Sequence, residues 1–129
     1  MTPMRFEVRA AYVVGWGLPL AEAARRRTNF TPVVPYIDDF IIGALLLLAA
    51  RAVTRNQPHG PGLLVAAWGA LCGGLFYSVF GQIEQGDEPD ISGLPNPAVI
   101  AIKAGLYVVA LVACWRSVRA LGNGPAGDA

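Results

Sequence analysis

Lys103 is the sole lysine of the chain and lies inside the apolar run PAVIAIKAGLYVVALVACW, whereas every other basic side chain is an arginine. A cation at the middle of a membrane-spanning helix costs about 2.5 to 3.5 kcal/mol on insertion scales, so it requires a partner or a use. The acids available to answer it are Glu22, Asp38, Asp39 and Glu84, with Gln82 and Tyr107 as neutral polar neighbours. Three chemistries fit these residue types. Lys103 can snorkel, laying its apolar stem along the helix and placing its ammonium at the interface. It can form a structural ion pair with Asp38, Asp39 or Glu22. With the same acids it can also make a binding or proton-transfer site.

Consecutive Asp38 and Asp39 diverge by about 100° on a helix. One can therefore cap the helix start, where the dipole is positive, while the other faces Lys103. A rival arrangement gathers these oxygens round a hard cation with Glu22 or Glu84 added, although the expectation is of no metal and no cofactor. Absences narrow the chemistry further. His59 is the only histidine and stands between apolar segments, and there is no C-x-x-C pair, no phosphate-binding glycine loop and no G-x-S-x-G turn. No catalytic residue is therefore assigned. Cys72 and Cys114 both fall in apolar segments and read as small core residues.

The elements that must position these groups follow from hydropathy. The chain has 129 residues, of which 54% are hydrophobic and 15% charged, with a net charge of +1. That composition indicates an integral membrane protein, with the lipid bilayer as its first partner and no footprint for nucleic acid. Four apolar segments, at 8–24, 36–53, 63–83 and 98–115, approach the roughly 20 residues needed to cross the hydrocarbon. The first contains Gly15, Gly17 and Pro19, so it is predicted to be short and kinked. Its basic flank and the Ala21, Glu22, Ala23 stretch also imitate a secretory leader. Glu7 ahead of the segment and Arg25, Arg26 and Arg27 after it favour a retained helix. The prediction is thus an all-α integral membrane protein, one domain over 1–129, with four transmembrane helices in an up-down bundle, an acidic loop at 84–97 and a flexible tail from 120.

Charge asymmetry then orients the bundle. Arg5, Arg9, Arg51, Arg55, Arg116 and Arg119 share one side, while the other carries Arg25, Arg26 and Arg27 and the acidic loop with Glu84, Asp87, Glu88 and Asp90. Both termini are predicted cytoplasmic, in a bacterial inner (plasma) membrane. Up-down connectivity also brings Glu22, Asp38, Asp39, Gln82, Glu84 and Lys103 to one end. Along the fourth segment, Lys103 shares a face with Val99, Tyr107, Ala110 and Cys114.

Small residues mark the third segment as the packing helix. Ala66, Ala70, Gly74 and Ser78 recur every fourth residue, and Gly69 with Gly73 forms a G-x-x-x-G pair that allows close helix approach in lipid. The approaching helix can belong to the same chain or to another copy. Glu22 in GLPLAEAARRR resembles the first-helix acid of small multidrug exporters, and CGGLFYSVF resembles the third helix of small fluoride channels. Each likeness stops at a single segment. The expected role is that of a small polytopic protein acting as a structural or regulatory partner of other membrane proteins. The alternative is a homo-oligomeric translocator of ions or small solutes, using the charged cluster round Lys103.

Overall fold

A computed structural model describes residues 5–26, 34–86, 88 and 93–123. All regular structure among them is helical: α1 (Arg5–Arg26), α2 (Val34–Thr54), α3 (Gly60–Glu84) and α4 (Asn96–Gly122). The four predicted segments fall inside these helices. The expectation of a short first helix is corrected, because α1 has 22 residues and runs through Pro19. α4 likewise extends to Gly122, so residues 120–122 of the predicted tail are helical. Arg27, Asp87 and Asp90 lie outside the described residues.

The helices pack in chain order, α1 on α2, α2 on α3 and α3 on α4, with only a sparse contact between α1 and α4. Cross-helix neighbours fix each pair as antiparallel. The Tyr12 and Thr54 hydroxyls lie 3.4 Å apart, Gly60 abuts Ala52 and Val53, and Lys103 meets Gln82. The α2–α3 connection is a tight helical hairpin. Asn56 adopts a left-handed φ of 55°, Asn56 N–H donates to the Val53 carbonyl at 3.0 Å, and Gln57 N–H donates to the Ala52 carbonyl at 3.0 Å. That pattern is a Schellman stop, which satisfies the last carbonyls of α2. The chain then turns so sharply that a Cβ at Gly60 would stand 2.8 Å from the Val53 nitrogen, so glycine is required there.

The core runs along the inner faces of all four helices through Ala11, Leu46, Ala49, Leu64, Trp68, Leu71 and Ala110. Two glycines let α1 and α2 approach closely. A Cβ on Gly43 would stand 2.7 Å from the Gly15 carbonyl oxygen, and a Cβ on Gly15 would stand 3.1 Å from that of Gly43. Pro19 has a part in this approach. Lacking an N–H, it leaves the Gly15 carbonyl without its intrahelical donor, and that carbonyl is directed at the side of Gly43 where a Cβ would stand.

The outside of the bundle is apolar. Val13, Ile41, Leu48, Tyr77 and Ile102 are all exposed. α3, with 25 residues and a mean hydropathy of 1.8, and α4, with 27 residues and 2.1, are long and apolar enough to cross a membrane. Only 33% and 17% of their most apolar stretches are buried within the bundle. A core helix of a water-soluble protein has the opposite distribution, because its apolar face is spent on internal contacts. α2 has sufficient length, but Asp38 and Asp39 near its start and Arg51 near its end lower its hydropathy.

Candidate functional site

The polar chemistry gathers where the end of α3 meets the start of α4. Pro95 and Pro97 bracket Asn96, and the Pro95 carbonyl accepts from Ala98 N–H at 3.0 Å, which sets the first turn of α4. This places the Asn96 side chain, 3% exposed, against the last turn of α3. Its Nδ2 donates to the carbonyls of Gln82 at 3.1 Å and Gly86 at 2.6 Å. The Gln82 carbonyl is among the last of α3, which the helix cannot satisfy by itself, and that of Gly86 lies in the turn just beyond. The Oδ1 of Asn96 accepts from Gln82 Nε2. With its nitrogen so engaged, Gln82 turns Oε1 toward α4, where Lys103 Nζ donates to it at 2.8 Å.

Lys103 is therefore tied to a buried two-amide relay. It is half-buried, Gln82 is 4% exposed, and the ammonium lies beside the last turn of α3. Three physical effects favour the cation there. The Gln82 carbonyl accepts a charge-assisted hydrogen bond, the helix C-terminus presents the negative end of its dipole, and the apolar stem lies against neighbouring side chains. The side chain runs toward the start of its own helix, as in snorkelling, but it reaches an amide on the way.

The remaining predicted site residues are distributed around this point. Asp38 faces α3, its Oδ2 being 3.6 Å from where a Gly74 Cβ would stand. That level of α3 is eight residues before Gln82, about 12 Å along the axis. Asp39 is half-buried, Glu22 is buried at 7% exposure, and Glu84 is exposed. Tyr107 packs against the core below Lys103. Among the described residues no group of three or more His, Cys, Asp or Glu side chains is arranged to hold a metal ion.

Of the proposed packing residues, Gly74 faces α2, since a Cβ there would stand 3.4 Å from Ile42 Cδ1, and Ser78 is half-buried. Gly69 and Gly73 have open space where a Cβ would stand, and Ala66 and Ala70 are exposed. That stripe of α3 looks outward, away from α2 and α4.

Two features at the opposite end and one at mid-bundle carry no distinctive sequence signal. Glu7 is buried at 3% exposure and takes a 2.7 Å hydrogen bond from Arg116 Nε, which joins α1 to α4. Its Oε2 and the Trp68 indole N–H are buried atoms without a hydrogen-bond partner among the described residues. Arg116 also lies 5.4 Å over the Phe6 ring. At mid-bundle Cys72 of α3 and Cys114 of α4, both half-buried, are neighbours. Each cysteine alone reads as a small core residue, and only the helix register reveals them as neighbours.

A scan against protein-family models and searches among curated proteins and solved structures give no match to this chain, so its function is argued from its own residues.

Proposed function

We propose that this chain is a four-span membrane protein that acts as a structural or regulatory partner, through lateral helix contacts with other membrane proteins. The observation that carries the reading is the outward stripe of Ala66, Gly69, Ala70 and Gly73 on α3, where backbone is open to close approach. In lipid, association relies on such small residues because burial of apolar surface gives little drive between helices. The Lys103–Gln82–Asn96 relay fits the same reading, since it pins α3 to α4 and holds the stripe in a fixed orientation. The arginine-rich end, with Arg5, Arg9, Arg51, Arg55, Arg116 and Arg119, supports an orientation with both termini in the cytoplasm of a bacterial cell.

Photo-cross-linking from position 69 in native membranes tests this. An adduct with a different membrane protein, lost when Gly73→Ile fills the stripe, is the expected result. Adducts with lipid alone overturn it. The second reading, a homo-oligomeric translocator, draws on the placement of a half-buried ammonium on a buried amide relay. It requires an adduct between copies together with flux in liposomes that Lys103→Met abolishes.

A further inference from the structure

A groove runs between α1 and α4 at the arginine-rich end, about 480 Å³ in volume, lined by Arg5, Phe6, Arg9, Ala10, Val13, Val14 and Val109. It exists because these two helices touch only sparsely and are bridged chiefly by Arg116 and Glu7. Its composition changes along its length. Arg5 and Arg9, one helical turn apart and both exposed, stand at the end of the bundle, and the apolar Val13, Val14 and Val109 lie further in.

The charges at its mouth are uncompensated. Glu7 is the acid nearest in sequence, but it is turned inward and its bonded oxygen is taken by Arg116. No carboxylate among the described residues pairs with Arg5 or Arg9. Two arginines one turn apart, about 6 Å along the helix axis, suit an anionic phosphate ester, which Arg binds in bidentate fashion. The valines beyond suit a hydrocarbon chain and offer nothing to a free inorganic anion.

We infer that this groove is a binding site for a single anionic glycerophospholipid, its phosphate on Arg5 and Arg9 and an acyl chain along Val13, Val14 and Val109. Basic clefts between helices at a membrane surface recognise anionic headgroups in this way. The inference rests on the membrane reading above. The lipid fills the gap that the weak α1–α4 contact leaves, so it also braces α1 against the bundle.

Native mass spectrometry of the full-length protein in an uncharged detergent, titrated with phosphatidylglycerol or phosphatidylcholine, tests the site. Phosphatidylglycerol is expected to bind preferentially, and the Arg5→Gln/Arg9→Gln variant to bind it roughly thirtyfold more weakly, about fivefold for each arginine. Arg51→Gln/Arg55→Gln, at the same end but outside the groove, is expected to bind as the unsubstituted protein does. Val109→Trp, which fills the groove and leaves every arginine in place, is expected to exclude the lipid. Equal binding of the two lipids, equal loss in both arginine variants, displacement by inorganic phosphate, or full binding by Val109→Trp overturns the site. Carbonate extraction of native membranes separates the two claims. Release of the protein contradicts the membrane reading, whereas a retained protein that binds both lipids alike contradicts only the groove.

Discussion

At the residue scale, Lys103 donates to the side-chain amide of Gln82 on α3. Gln82 is the pivot, because it accepts from Lys103 Nζ at 2.8 Å while its nitrogen is committed to Asn96. Gln82→Leu removes both bonds and takes from the buried Asn96 oxygen the donor it accepts from. A loss of about 2 to 3 kcal/mol is expected, read as a lower unfolding midpoint in detergent. Combining Lys103→Met with Gln82→Leu should cost less than the sum of the two single losses, since both remove the same Lys103–Gln82 bond. Additive losses in the double variant would show that the two side chains are not coupled. The sequence makes Lys103 and Gln82 visible as polar residues in apolar runs. Asn96 is not visible in that way, because an asparagine between two prolines reads as a loop signal. Its role as a cap on a different helix exists only once α3 and α4 are side by side. In sequence Glu7 is visible only as an acid ahead of the first apolar segment, and its bond with Arg116, 109 residues on, exists only once α1 and α4 are side by side.

At the element scale, close approach belongs to particular glycines. Gly43→Ala would bring a Cβ to 2.7 Å from the Gly15 carbonyl oxygen, a backbone atom that cannot swing aside. The expected loss is about 1 to 3 kcal/mol. Gly69→Ala meets nothing within 4 Å, so the same substitution there should be neutral or stabilise by up to about 1 kcal/mol through helix propensity. Thermal unfolding of the two variants side by side checks the contrast, and equal losses would contradict the packing. The α3–α4 register has its own test. Mild oxidation with copper-phenanthroline should join Cys72 to Cys114 within one chain, seen as an altered proteolytic fragment pattern that reductant reverses. Failure to cross-link would mean that the thiols do not face each other. Helix existence was legible because each apolar segment is long and bounded by Pro, Gly or charge. Which glycine meets which neighbour was not, because G-x-x-x-G spacing defines a stripe and says nothing of what the stripe faces. The reciprocal pair Gly15 and Gly43 has no internal spacing at all.

At the scale of the whole molecule, the bundle is polar at its two ends and apolar round its outside. One end carries exposed arginines with Glu7 turned inward, and the other carries the Lys103 relay with Asp38, Asp39 and Glu22 on the helices that begin or end there. Hydropathy made α3 and α4 legible as spans. α1 and α2 are harder to read, because Glu22, Asp38 and Asp39 lie inside helices whose apolar stretches are correspondingly shorter. Their place in the membrane is what the four-span account asserts beyond hydropathy. Single cysteines introduced at Arg5, Ala24, His59, Glu88 and Asn123, in a Cys72→Ala/Cys114→Ala background, can be labelled with an impermeant maleimide on intact cells and on inverted vesicles. A four-span bundle requires positions 5, 59 and 123 to label from one side and positions 24 and 88 from the other. Labelling of position 24 from the same side as position 59 would contradict it.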